Sequence, residues 1–226
     1  MEHSSKVLLV EGDSDKSFFQ KICKNLSLNT SVKVAPPKDL GGQRNSKEGV
    51  FQQLQLLLPQ LNDGTYTHIG IVVDADYKQQ HGLGYEGTIA RVNGIVQPYD
   101  FELDQDSAHG IRFKSKEGFA DFGLWIMPDN RQEGMLEDWI KLCVKESEQE
   151  LFQQATDAVQ HLANPKFPEH LTSKAEVATW LAWQKQPGHG LYGAIKDDLL
   201  DSSSVLFEEL KQWLLEIFNK ETEAEG

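Results

Sequence analysis

Short apolar runs alternate with amphipathic stretches along the first 130 residues. Four runs rich in β-branched and aliphatic residues predict strands: Lys6–Val10, Ser31–Ala35, Ile69–Val73 and Phe122–Met127. Apolar positions at helical spacing follow the first two runs, from about Asp13 to Leu26 and from Val50 to Leu61. Strand, helix, strand, helix, strand with short links is typical of right-handed crossover units, so the pattern predicts a mainly parallel sheet.

Local signals refine this pattern. Asn45 and Glu48 have capping-box spacing and predict the start of the second helix. A short helix is expected over Thr88–Val96, although Gly94 weakens it. Residues 98–122 are acidic and poorly periodic, which predicts a loop with one short strand at Ile111–Phe113.

The second half of the chain is predicted to be helical. Apolar spacing places helices near residues 134–144, 147–163, 173–184 and 204–219, and residues 220–226 form a short acidic tail. The predicted fold class is α/β, with a mainly parallel central sheet flanked by helices. We expect an α/β domain over residues 1–140 and a helical extension over residues 141–226, packed on the same domain.

Composition limits the environment and the partners. With 35 acidic and 22 basic residues the net charge is −13, which opposes unaided binding to nucleic acid. No apolar run approaches the roughly 20 residues that span a bilayer, and the first residues lack a secretory signal. We therefore expect a cytoplasmic protein without a membrane partner. Cys23 and Cys143 lie in apolar helical contexts, which favours buried reduced thiols.

The third strand ends in two acids, Asp74 and Asp76. Positions i and i+2 of a strand project to the same side, so both carboxylates are expected to converge just beyond the sheet edge. Two unit charges about 5 Å apart repel by roughly 3 kcal/mol at an effective dielectric of about 20, so the pair favours a cation or a shared proton. The alternative is that one aspartate caps the next helix and the other is solvated.

Other strands also end in acids. Glu11 follows the first strand and Asp129 the fourth, while Asp15 and Glu137 lie a few residues further on. If these strands are parallel, their carboxyl ends share one crevice. Oxygen ligands without a Cys/His set favour Mg2+ or Mn2+ over zinc, and Mg2+ favours phosphate chemistry.

Each candidate also has a purely structural explanation. Asp15 and Glu137 are first-turn acids that favour the helix dipole, and Asp129 suits an Asx turn. Lys78 is a candidate to neutralise a phosphate during catalysis, but lysines after strands are usually solvated. Lys174, at the start of an apolar helix, has the same alternative.

The acids occur in an order that resembles a known domain. Val10-Glu11-Gly12, an acid four residues after the glutamate at Asp15, and Asp74-Ala-Asp76 together resemble the Toprim domain of topoisomerases, primases and OLD-family nucleases over residues 6–140. More narrowly, Met127-Pro-Asp-Asn130 and Gly134-Met-Leu-Glu137 resemble a group of uncharacterised bacterial Toprim-like proteins.

The resemblance implies roles for individual residues. Glu11 matches an acid/base or metal-binding glutamate, and Asp74 and Asp76 match aspartates that bind Mg2+. Asp15 and Glu137 match acids of a second metal site in OLD-like nucleases. The chain departs from these relatives because it has no fused ATPase, no topoisomerase tyrosine domain and no primase zinc module.

These observations predict a Mg2+- or Mn2+-dependent phosphodiester hydrolase, nuclease-like, with Glu11 and Lys78 as catalytic candidates. Nucleic acid or another phosphate-containing ligand is the expected substrate class. A protein partner, such as an ATPase, would supply the basic surface that the chain lacks. The alternative is a non-catalytic Toprim-like binding or regulatory module.

Overall fold

The computed structural model describes residues 4–34 and 46–219. Within them one six-stranded sheet has the order β2-β1-β3-β6-β5-β4. The strands are β1 (Lys6–Val10), β2 (Ser31–Val34), β3 (His68–Asp74), β4 (Phe101–Leu103), β5 (Ile111–Ser115) and β6 (Phe122–Met127). The helices are α1 (Asp13–Asn25), α2 (Lys47–Asn62), α3 (Gly84–Val96), α4 (Leu136–Leu142), α5 (Gln149–Gln160), α6 (Thr172–Ala182), α7 (Leu191–Lys196) and α8 (Val205–Asn219).

The centre of the sheet is parallel. Strand β1 pairs in parallel with β2 on one side and β3 on the other, and β3 pairs in parallel with β6. Strands β5 and β4 complete one edge as an antiparallel pair. The predicted α/β class with a mainly parallel central sheet is therefore confirmed. After β1 the chain continues to β2 on one side, whereas after β3 it continues to strands on the other side. The strand order therefore reverses between β1 and β3, and folds of this type form a crevice at that point.

Alternating side chains of the central strands fill two cores, one on each face of the sheet. Leu8, Val72 and Trp125 face α1 and the helices of the C-terminal half. Leu9 and Ile71 face α2 and α3 on the opposite side. The strands are thus buried on both faces, which explains their nearly continuous apolar sequences.

The helical C-terminal half packs directly on the sheet. Phe218 of α8 lies over Gly70 of β3, and Ile217 and Trp213 lie over Gly123 of β6. A Cβ atom placed on Gly123 would stand 2.6 Å from Ile217 Cγ1, so the close approach of α8 depends on glycine at this position. This helix and the central strands therefore share one core.

Some predicted elements differ in the structure. The third helix begins at Gly84 rather than Thr88, and residues 98–122 contain two strands, β4 and β5, rather than one. These strands are short and carry charged residues. The pairing of β5 with β6, and of β4 with β5, stabilises them despite weak local signals. The short α7 was not predicted, since six residues after Gly190 give little periodicity. Asn45 lies outside the described residues, and Ser46 is the N-cap of α2.

Two further predictions concern the state of the cysteines and the presence of membrane-spanning helices. Cys23 and Cys143 are both buried and form no disulfide, as predicted. Burial raises the pKa of each thiol to about 12. Across residues 4–34 and 46–219, none of the helices has the length and apolar character needed to cross a bilayer.

The packing of α8 on glycine gives a stability prediction. The substitution Gly123→Ala should lower the free energy of unfolding by about 1–3 kcal/mol, because the added methyl group overlaps Ile217 and Trp213. Urea unfolding followed by circular dichroism measures this change.

Gly94 provides the matched control. It lies exposed in α3, and a Cβ atom there would meet nothing within 4 Å. Gly94→Ala should therefore stabilise the protein by up to about 1 kcal/mol, through helix propensity. Equal effects of the two substitutions would contradict the packing of α8 described above.

Candidate functional site

Glu11 and Asp74 form the centre of an acidic site at the carboxyl end of the sheet. Glu11 follows β1 and Asp74 ends the adjacent β3, at the point where the sheet changes direction. The backbone N–H of Asp74 donates to Glu11 Oε1 over 2.8 Å, and the N–H of Leu136 donates to Asp74 Oδ1 over 2.9 Å. These bonds connect β1, β3 and the start of α4. They hold one oxygen of each carboxylate in place.

Asp15 and Glu137 lie beside this pair, each in the first turn of a helix. Asp15 Oδ2 accepts the N–H of Gly12 over 2.9 Å at the start of α1. Glu137 is buried in α4, and its Oε2 accepts from Lys174 Nζ over 2.8 Å. Lys174 belongs to α6, so the helical C-terminal half contributes a cation to the acids at the strand ends.

The acids affect one another's ionisation. Desolvation raises the pKa of Glu11 to about 7, although the N–H of Asp74 and the charge of Lys47 oppose this rise. Desolvation and the neighbouring Glu137 raise the pKa of Asp15 to about 6. Desolvation and Glu11 raise the pKa of Asp74 well above its ordinary value. These carboxyl groups therefore keep their protons to higher pH than ordinary aspartate and glutamate side chains.

Lys174 responds to the same acids in the opposite sense. Desolvation lowers its pKa, but the charges of Glu137 and Asp74 outweigh this effect and raise the pKa above the ordinary lysine value. Lys174 is therefore a charged counter-ion of the cluster.

One oxygen of each carboxylate is still open. Among the described residues, the second oxygens of Glu11, Asp15, Asp74 and Glu137 accept no hydrogen bond. As the side chains stand in residues 4–34 and 46–219, however, no group of three or more His, Cys, Asp or Glu residues is arranged to hold a metal ion. The four acids are neighbours with free oxygens, and their side chains would have to rotate to share one cation.

Asp76 is paired with a lysine, although its charge also contributes to the raised pKa of Glu11. Strand β3 ends at Asp74, and Asp76 has a left-handed backbone with φ of +61°, so the alternation that predicted convergence of the two acids does not continue. Its Oδ2 accepts from Lys47 Nζ over 2.6 Å. Lys47 begins α2 and also donates to the carbonyl oxygen of Ala75 over 3.2 Å.

Asp129 and Lys78 have partners outside the acid cluster. Asp129 Oδ1 accepts the N–H groups of Arg131 and Gln132, and its Oδ2 accepts the side-chain amide of Gln132. Asp129 thus makes the Asx-type turn that was the structural alternative. Lys78 is exposed, and its Nζ lies 3.8 Å from Glu133 Oε1.

Asp138 connects three segments next to the site. Its Oδ2 accepts from the hydroxyl of Tyr77 over 2.7 Å and from the N–H of Met135 over 2.9 Å. Its Oδ1 accepts from Ser173 Oγ over 2.6 Å. Since Ser173 precedes Lys174, this bond fixes the start of α6 where Lys174 reaches Glu137.

Sequence reasoning did not find Lys47, and it gave Asp138 and Lys174 little weight. Lys47 and Lys174 reach partners 29 and 37 positions away in the sequence. No local pattern distinguishes such lysines from solvated ones. The adjacent pairs Glu137-Asp138 and Ser173-Lys174 carried the only sequence signal, since both open predicted helices.

The fold and the site define an α/β protein with a partly desolvated acidic cluster at the carboxyl edge of a parallel sheet. A family model described as a protein of unknown function (DUF3226) matches residues 5–219. The chain therefore belongs to this family. No curated protein and no solved structure matches the chain.

The raised pKa values predict a pH dependence of stability. Without metal, Glu11 has a pKa of about 7 in the native state and about 4.5 in the unfolded chain. Between these values the native state keeps a proton that the unfolded chain has released, so the contribution of Glu11 to the free energy of unfolding falls as the pH rises from 4.5 to about 7. Glu11→Gln keeps the acceptor oxygen but removes this titration. The variant should match the wild type best near pH 4.5 and exceed its stability at pH 8 by about 1 kcal/mol or more.

Urea unfolding between pH 4.5 and 8 in the presence of a chelator measures this difference. Glu102→Gln is the control, because Glu102 is an exposed acid on the edge strand β4. It should leave the pH profile unchanged. A constant difference between Glu11→Gln and the wild type over this range would contradict the burial of an ionisable Glu11.

Proposed function

We propose that the protein is a Toprim-like, Mg2+- or Mn2+-dependent phosphodiester hydrolase that acts on nucleic acid in the cytoplasm. The observation that carries this proposal is the acid cluster at the end of β1 and β3. Glu11, Asp15, Asp74 and Glu137 each present a free carboxylate oxygen there, and protein N–H or ammonium groups hold the other oxygen. Bonds of this kind hold one oxygen of each carboxylate and leave the other available to a ligand.

The donor set fits Mg2+ in its chemistry. All four side chains offer hard carboxylate oxygens, and desolvation of Glu11 and Asp74 favours any ligand that supplies positive charge. Glu11 and Asp74 would hold a first ion, and Asp15 and Glu137 would complete a second site. Bound Mg2+ polarises a phosphate and lowers the pKa of coordinated water.

The residues of the chain contribute the rest of the chemistry. The bond between Ser173 and Asp138 positions Lys174 at Glu137, and its ammonium would be available to donate to a phosphate bound at the acids. Glu11 holds or releases a proton near neutral pH in the metal-free chain. Lys78, exposed beside Glu133, is free to reach a ligand at the surface.

The charge of the chain supports a partner. A net charge of −13 repels nucleic acid, and the acid cluster adds to this repulsion near the site. A protein partner with a basic surface, such as an ATPase, would bring the phosphodiester to the strand ends.

A second function is favoured by a different observation. Lys47 already neutralises Asp76, and Lys174 already neutralises Glu137. The described side chains, as they stand, form no three-acid metal group. These features suit a non-catalytic binding or regulatory module in which the lysines replace the metal.

Metal binding separates the site residues. The wild type should bind Mn2+ in isothermal titration calorimetry, and Asp74→Asn should weaken binding more than about tenfold, because it removes a charged ligand from the centre of the cluster. Asp129→Asn is the matched control, since an asparagine keeps the Oδ1 acceptor of the turn. Loss of binding in the control, with normal binding in Asp74→Asn, would move the site to the end of β6.

Cleavage separates the two functions. With Mg2+ or Mn2+, the wild type should cleave single- or double-stranded DNA or RNA, assayed by gel electrophoresis with and without the partner. Glu11→Gln should reduce the rate at least about 100-fold, in the range of a lost acid/base group. Equal cleavage by Glu11→Gln would indicate contamination or another site. Metal binding without cleavage of any of these substrates would favour the binding module.

A further inference from the structure

The contact between Lys47 and Asp76 is asymmetric in its exposure to solvent. The Lys47 side chain is 10% exposed, whereas the Asp76 side chain is 43% exposed. A buried ammonium requires compensation, and among the described residues Lys47 Nζ has two acceptors, Asp76 Oδ2 and the carbonyl oxygen of Ala75. The lysine therefore depends on the aspartate, and the aspartate remains accessible from solvent.

The backbone holds Asp76 in this position. Its N–H donates to the carbonyl oxygen of Gly134 over 2.9 Å, and its left-handed φ of +61° turns the side chain out of the strand direction. Asp76 Oδ1 accepts no hydrogen bond from the described residues. One oxygen is thus paired with the lysine, and the other is free to receive a cation from solvent.

A divalent cation at Asp76 would stand next to the Lys47 ammonium. At separations of about 4 Å, like charges repel by several kcal/mol at an effective dielectric of about 20, so the metal ion and the ammonium would weaken each other's binding to Asp76. We propose that Lys47 and a divalent cation compete for Asp76, and that Lys47 is an exchangeable internal counter-ion which leaves Asp76 when the metal binds.

This inference rests on the proposed metal-dependent function and names the residue that controls access to the second aspartate of the Asp-x-Asp pair. The two aspartates of this pair also accept from different kinds of donor. Asp74 accepts from a backbone N–H, which stays in place, whereas Asp76 accepts from a lysine, which can move. Lys47 is accordingly a positioning residue for Asp76.

Lys47→Met tests the competition directly. Calorimetric titration with Mn2+ alone should show binding about tenfold tighter than in the wild type, because the competing ammonium is gone. Lys116→Met carries the same change of net charge at an exposed residue paired with Glu102, and it should bind like the wild type. Adding Asp76→Asn to Lys47→Met should remove the gain. Unchanged affinity in a folded Lys47→Met protein would overturn the inference.

A second measurement uses the wild-type chain and does not depend on the folding of a variant. Amine acetylation followed by mass spectrometry should label Lys47 slowly without metal and several-fold faster with Mn2+, as the ammonium leaves its buried position. Lys116 should label equally fast in both conditions. A Lys47 labelling rate that Mn2+, at concentrations shown by calorimetry to saturate the protein, does not change would also overturn the inference.

The two proposals fail in different ways. If the wild type binds Mn2+, and Asp74→Asn abolishes this binding, but Lys47→Met changes nothing, the metal site stands and the competition does not. If the wild type binds no Mn2+ but Lys47→Met does so through Asp76, the competition stands and the metal-dependent function of the native chain does not.

Discussion

Carboxylates at the ends of two adjacent parallel strands repel each other, and the pairing of the strands prevents them from separating. The register of β1 with β3 places Glu11 beside Asp74, and the bond from the N–H of Asp74 to Glu11 holds them there. Desolvation increases the cost of ionising both. Groups around the two carboxylates stabilise them by donating hydrogen bonds and by supplying positive charge.

Three kinds of group provide this stabilisation. Backbone N–H groups at the starts of α1 and α4 and at the end of β3 stabilise one oxygen of each central acid. Lys174 approaches from the helices on one face of the sheet, and Lys47 approaches from α2 on the other. Both helical layers thus supply one cation each, which makes the C-terminal half part of the site. The expected boundary at residue 140 would place Glu137 and its partner Lys174 in different segments.

The sequence predicts the features that depend on local pattern. Continuous apolar strands, their parallel arrangement and the position of Glu11 and Asp74 follow from periodicity and from the rule that parallel strands end at one edge. The direction of Asp76 does not follow, because one left-handed residue interrupts the alternation. The role of Lys47 and Lys174 does not follow either, since each meets its partner only in the folded chain.

The position of Asp129 at the end of a strand also did not predict what its side chain binds. It follows a strand as Glu11 does, but its carboxylate satisfies the N–H groups of its own turn rather than turning towards the cluster. A strand-end acid is therefore free for a ligand only where the backbone after it leaves an oxygen unpaired. Glu11 and Asp74 meet that condition among the described residues, with internal lysines close by. Two of the acids, Glu137 and Asp76, already have lysine partners, so an external cation at either one would compete with an ammonium group. Under the proposed function, the outcome of that competition would distinguish a metal-dependent enzyme from a module whose charge the lysines balance.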